Sequence, residues 1–117
     1  MKQIPVFFDT VHRSALIITP KKSFKEWLIS MDPDDANIDL SNETDLYLIP
    51  NFDDHYQAEQ WLKENFDIIF CDQMNNWYID ESDWEQNRTF KTFKEWFNYS
   101  IHLQILDTLE IPIKKSI

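Results

Sequence analysis

No position in this 117-residue chain is a glycine. A left-handed backbone position must therefore fall to Asn or Asp, because most other side chains clash there. Glycine helix caps and Asn-Gly hairpins are ruled out in the same way. So are two families of nucleotide site. The Walker-type phosphate loop and the dinucleotide fingerprint both need glycine where backbone closes on phosphate. Turns are left to Pro20, Pro33, Pro50 and clusters of Asn and Asp.

The chain can still build a core. It is 43% hydrophobic and carries 18 aromatics (5 Trp, 4 Tyr, 9 Phe). A single domain over residues 1–117 is expected, with residues 1–10 as a loose arm or edge strand and residues 111–117 as a frayed tail. The apolar runs Ala15–Ile18 and Ile68–Cys71 are four residues long, against about 18 or more for a membrane span. Residues Met1–Asp9 are too short and too interrupted by Pro5 for a signal peptide. Cys71 is the sole cysteine, so no disulfide forms within the chain. A cytoplasmic setting is the expectation.

Charge is laid out in blocks. The formal net charge is −10. Residues 32–85 hold 16 acidic side chains and one basic side chain, Lys63, a net −15. Residues 1–31 carry a net +3 and residues 86–117 a net +2. Such a field repels nucleic-acid phosphate and anionic membranes, and favours a basic protein surface as partner. An acidic, well-solvated surface is the plainer reading of the same charge.

Periodicity predicts an α+β fold: a small sheet of about three strands with helices on one face, in the order β-α-β-α-α-α-β. His12–Thr19 reads as a strand stopped by Pro20. Ser23-Phe24-Lys25-Glu26 fits a capping box, and Phe24, Trp27, Leu28 and Met31 follow on one helical face. Residues 32–45 read as an acidic loop with a short helical turn near Asp39–Asn42. Asp45–Ile49 is the second strand, ended by Pro50. Asp53 or Asp54 caps a helix from His55 to about Asn65, burying Ala58, Trp61 and Leu62. Another helix runs from Asp67 to about Asn76, with Asn65 or Asn75-Asn76 taking the left-handed cap. Thr89 or Thr92 caps the last helix, which carries Phe90, Phe93, Trp96 and Phe97. Tyr99–Asp107 alternates as a half-buried strand.

Ser23-Phe24-Lys25-Glu26-Trp27-Leu28 echoes Thr92-Phe93-Lys94-Glu95-Trp96-Phe97. The first follows a strand and the second precedes one, so the echo reads as convergence on a good helix start rather than duplication. The stretches Ile17–Trp27, Tyr47–Asp54 and Trp84–Phe97, with their aromatics, prolines and acids, resemble a family of small acidic bacterial proteins of unknown function. The resemblance spans roughly residues 13–107. It implies a bacterial cytoplasmic setting and one α+β domain, and carries no activity, cofactor or catalytic residue.

The chemistry-bearing residues are sparse. Asp32, Asp34 and Glu43 match positions 1, 3 and 12 of a calcium loop, but Ala36 and Asn37 stand where that loop needs an oxygen ligand and a glycine. His12, His55, His102 and Cys71 are far apart in sequence and lack zinc-ligand spacing. His12 and His102 become neighbours if the first and last strands pair. Cys71 follows Ile68-Ile69-Phe70 and reads as a buried, inert thiol. His55 beside Asp53 and Asp54 reads as a helix first turn, where carboxylates are favoured. No catalytic, metal or cofactor-binding residue is assigned, and no cofactor is expected.

The feature that stands out is the acidic connection holding Trp77, Tyr78, Asp80, Glu81, Asp83 and Trp84. Aromatics among acids can anchor a basic or apolar partner; the same aromatics can also fold back as lids on the helices. Arg88 is expected to close the connection by pairing with Asp80, Glu81 or Asp83. The function this favours is a non-enzymatic interaction protein using that acidic, aromatic surface. The alternative is a small enzyme or metal-dependent module using His55, His102 or His12 with carboxylates.

Overall fold

A computed structural model describes residues 10–116. The order is β1 (Thr10–Val11), β2 (Ser14–Pro20), α1 (Lys22–Met31), β3 (Asp45–Ile49), α2 (His55–Asn75), α3 (Phe90–Trp96), β4 (Phe97–His102) and β5 (Ile105–Leu106), with 3₁₀ turns at Pro33–Asn37 and Glu81–Asp83. The α+β class expected from the pattern is the class found. The expected arm or edge strand over residues 1–10 falls mostly outside the described residues. Only Thr10 is described, and it is in β1. Residues 111–116 have no regular secondary structure, and Ile117 lies outside the described residues.

The main sheet has the order β3-β2-β4, antiparallel throughout. β2 sits in the middle, where its alternation matters most. Ser14, Leu16 and Ile18 point into the core and are fully buried. Ala15, Ile17 and Thr19 take the other face, opposite Leu46 and Leu48 of β3 and Asn98, Ser100 and His102 of β4. The helices cover the inner face, where Leu16, Ile18, Ile49 and Phe97 join Phe24, Leu28, Leu62, Phe70, Met74 and Phe93 in one cluster. β1 and β5 continue the β2–β4 ladder: Val11 faces Ile105 and Ala15 faces His102. Between those pairs the N-terminal strand has one residue more than its partner, the count of a β-bulge. The expected strand over Tyr99–Asp107 is accordingly two strands. It starts earlier, at Phe97, and is interrupted after His102.

Three further expectations are corrected. The two helices expected over residues 55–76 are a single helix, α2, of 21 residues. Asn65 does not break it: its Nδ2 donates to the Trp61 carbonyl at 2.8 Å, inside the turn. Ala58, Leu62, Ile69, Phe70 and Met74 form one buried stripe along the whole length, so continuing the helix buries more than ending it. No described residue has positive φ, so no Asn takes the left-handed cap. The Ser23–Glu26 capping box is also absent. α1 begins at Lys22 and Lys21 is its N-cap, without a side-chain cap. The Lys21 amide donates to the Trp96 carbonyl at 2.8 Å, which fixes the helix start at the end of β2 and leaves Ser23 inside the first turn. The short helical turn expected at Asp39–Asn42 lies earlier, at Pro33–Asn37, where Pro33 follows a capping Asp32. The remaining caps fall within the expected pairs: Asp54 accepts from the Gln57 amide and Thr89 from the Thr92 amide.

The two echoing segments meet in space. Trp96 lies edge-on to Phe24 at 6.0 Å and tilted on Trp27 at 5.9 Å, and Phe97 is 5.4 Å from Phe24. α1 leaves β2 and α3 enters β4 at the same end of the sheet, because Pro20 pairs with Phe97. The shared Phe-Trp face is thus the packing surface between α1 and α3.

Polar groups fasten the layers. Ser14 Oγ accepts from the Phe52 amide at 3.0 Å and donates to the Leu103 carbonyl at 3.3 Å. One buried hydroxyl thereby ties the β3–α2 loop to the end of β4. Ser14→Ala leaves the Phe52 amide without that partner, and is expected to cost about 1–3 kcal/mol, read by urea unfolding. Tyrosines from the two outer strands hold α2. Tyr99 on β4 donates to Glu59, and Tyr47 on β3 donates to Asp72 Oδ2 at 2.5 Å. Gln73, buried on α2, completes the second cluster by donating to Asp45 Oδ2 and to the Tyr47 hydroxyl, both at 2.8 Å. Glu59 lies near the start of α2 and Asp72 near its end, so the helix crosses the sheet diagonally from β4 to β3.

Burial, then the hydrogen bond to a carboxylate, pushes both tyrosine hydroxyls above their ordinary range. An acid whose folded value is raised gives stability that is complete below its unfolded value and lost above it. Stability is therefore expected to fall as pH rises past about 10, the ordinary tyrosine value. Tm measured against pH, alongside tyrosinate absorbance, checks this. The double variant Tyr47→Phe/Tyr99→Phe is expected to start less stable and to lose less on alkalinisation.

Candidate interaction surface

The connection from α2 to α3 is built as a folded lobe rather than an extended loop. Asn76 ends α2, and the Trp77 and Tyr78 amides both donate to the Met74 carbonyl at 3.0 Å. Asp80 then caps the turn Glu81–Asp83, its Oδ1 accepting from the Ser82 amide at 3.0 Å and the Ser82 hydroxyl at 2.8 Å. Those two hydrogen bonds hold the Asp80 carboxyl below its ordinary range.

The aromatics of the lobe pack inward. Trp77, Tyr78 and Trp84 are half-buried against the core. Trp84 Nε1 donates to the Tyr78 carbonyl at 2.7 Å, closing the lobe on itself. From α1, Trp27 Nε1 donates to the Asp83 carbonyl at 3.0 Å, and its ring meets Tyr78 edge-on at 5.6 Å. A buried tryptophan needs a partner for its N–H, and here that need pins the lobe to α1. The acids take the outside: Asp80 and Glu81 are exposed and Asp83 is half-buried. Between the two sets projects Ile79, 84% exposed.

A second acidic segment joins the lobe, which the sequence pattern did not place there. Partial burial pushes the Tyr78 hydroxyl above its ordinary value, and the carboxylates of Asp35, Asp32 and Asp83 add to that push. α1, which the Pro33–Asn37 turn follows, meets the lobe through Trp27, so acids from both turns act on the one tyrosine. The only signal in the sequence was that both segments are acidic and both follow helices ending near tryptophan-rich faces.

Arg88 is placed differently from expectation. Its Nε donates to Asp67 Oδ1 at 2.7 Å and its Nη1 to the Glu85 carbonyl at 2.8 Å. It thus ties the end of the lobe back to α2, and the expected pairing with Asp80, Glu81 or Asp83 is not made. Asp67 on α2 is nearer in the fold because Glu85 is itself held on α2, its amide 3.4 Å from Met74 Sδ.

The other reactive side chains are dispersed. His55 is exposed at the start of α2, whereas Cys71 lies in its last two turns, half-buried, with burial pushing its thiol up. The first and last long strands do pair, but His102 faces Ala15 and hydrogen-bonds Ser100 Oγ at 3.0 Å. His12 instead lines an open cleft with Asn51, Phe52, Asp53 and Gln104. Asp32, the first residue of the calcium-loop register, spends its Oδ1 on the Asp34 amide. Among the described residues, no group of three or more His, Cys, Asp or Glu side chains is arranged to hold a metal ion. No helix among them is long and apolar enough to cross a membrane. No family model, curated protein or solved structure matches this chain.

Proposed function

We propose that this protein acts without catalysis, by binding a basic surface of another protein through the rim formed by the two acidic turns. The observation that carries the reading is the lobe pinned to α1 by Trp27, which holds Ile79 84% exposed beside the exposed carboxylates of Asp80 and Glu81; the acids of the turn after α1 add to the negative field at Tyr78. An apolar tip beside exposed carboxylates suits a partner with an apolar socket in a cationic surround. The aromatics Trp77, Tyr78 and Trp84 serve this surface by making it rigid, so that little order has to be imposed on binding. Small acidic inhibitor and immunity proteins work in this manner, and a cytoplasmic setting goes with the lone Cys71.

The test is partner capture from the host lysate by the intact chain and by Asp35→Lys/Glu81→Lys/Asp83→Lys, which reverses charge while leaving the caps Asp32 and Asp80 in place. Loss of the captured protein supports the reading, and unchanged capture contradicts it. A second reading, a small enzyme or metal-dependent module, is favoured only by the His12 and Asp53 cleft. A ligand or activity abolished by His12→Ala would support it instead.

A further inference from the structure

One edge of the sheet pairs with no further strand among the described residues, and its middle carries no charge. β3 is the terminal strand of the order β3-β2-β4. Folded proteins commonly blunt such edges with lysine, proline, a bulge or inward-pointing charge. Asp45-Leu46-Tyr47-Leu48-Ile49 has no lysine or arginine, and Pro50 lies just past its end. Its one charge, Asp45, is an inward-pointing charge of that kind, but it stands at the first position and is held by Gln73 at 2.8 Å, which leaves Leu46 to Ile49 without such a device. On the outer face Leu46 and Leu48 are 58% and 49% exposed. The opposite edge, β4, shows Asn98, Ser100 and His102 on that same outer face.

We propose that β3 pairs with β3 of a second copy of this chain, antiparallel across a two-fold axis at Tyr47, making one continuous six-stranded sheet. The strand itself argues for a self-complementary partner. With Tyr47 at the centre, Leu46 falls opposite the partner subunit's Leu48, and Leu48 opposite the partner subunit's Leu46. Each exposed leucine gains an apolar cross-strand neighbour on the open face, continuing the stripe begun by Ile17 and Ala15 on β2. The same register sets Asp45 opposite Ile49 and Glu43 opposite Asn51, so no like charges face each other directly along the edge. For a chain of net charge −10, an uncharged edge is where two copies can approach. The inner-face carboxylates of Asp72, held by Tyr47, lie on the same face of the continuous sheet in both copies, one on each side of the axis. Added salt therefore tightens the dimer rather than loosening it.

Sedimentation equilibrium of the full chain over a range of concentration and salt reads this directly. The expected result is a reversible dimer favoured by salt. Leu46→Lys/Leu48→Lys is expected to weaken it by about tenfold or more, because like charges then face each other across the strands, while circular dichroism and Tm stay near the starting values. Ile17→Lys, on β2 and away from the edge, is expected to leave the dimer intact; its loss there would mean that the open faces stack instead, and would overturn the proposal. Register is read by oxidising singly substituted chains in a Cys71→Ser background. Leu46→Cys mixed with Leu48→Cys should cross-link far more than either alone. Equal or absent cross-linking, or a wild-type chain that stays monomeric throughout, overturns the proposal.

Discussion

Phe70→Ala is expected to bring the fold close to its stability limit. Phe70 is fully buried on α2, with rings of Trp96 at 5.1 Å, Phe97 at 5.4 Å and Phe93 at 6.0 Å around it. It touches α3 and the start of β4 at once, so no one element can collapse into the space it leaves. Removing a buried phenylalanine costs about 3–5 kcal/mol, against total stabilities of about 5–15 kcal/mol for a domain. At about 4 °C per kcal/mol, Tm should fall by on the order of 15 °C, with the near-ultraviolet circular dichroism of the aromatic cluster weakened. Ile68→Ala on the same helix is the control. Ile68 is 72% exposed, and its loss is expected to stay within about 0.5 kcal/mol. Equal effects at the two positions would contradict the placement of α2.

Charge reversal at the acidic rim is expected to have the largest effect on binding. Asp35→Lys/Glu81→Lys/Asp83→Lys changes the net charge from −10 to −4, since each substitution adds two. Steering by a complementary field raises association rates by about 10–10³-fold and falls steeply with ionic strength. Reversing three carboxylates should weaken partner binding by about 10–100-fold at low salt, mostly through slower association. The difference should shrink in high salt. Stability should change little, because Asp32 and Asp80 still cap their turns.

Much of this fold is written in local pattern. The face Phe24, Trp27, Leu28 is buried as its helical spacing requires, and Asp45–Ile49 is a strand over the expected range. What the pattern missed came from tertiary contacts. Asn65 looked like a helix end, but the apolar stripe on both sides is in phase, and helical continuity won. Ser23 and Glu26 had the chemistry of a cap, yet the start of α1 was set by a hydrogen bond from Lys21 to Trp96. Gln73 is a polar residue on a buried stripe, which signals a buried partner without saying which; the partners, Asp45 and Tyr47, lie on a strand more than 25 residues away. The candidate surface was half legible. Trp77 to Trp84 could be singled out by composition, but the docking of that lobe on α1 through Trp27 is a tertiary contact that no spacing rule predicts.

On the proposed function, a partner recognises the rim around Tyr78 rather than overall acidity. Two triple variants of equal net charge separate these directly. One is Asp35→Lys/Glu81→Lys/Asp83→Lys at the rim. The other is Glu43→Lys/Glu95→Lys/Glu110→Lys at exposed positions elsewhere. Each is compared with the unaltered chain in quantitative capture from host lysate at low salt. The rim variant is expected to lose the captured protein while the second variant keeps it. Equal loss in both, or full retention by the rim variant, would contradict it.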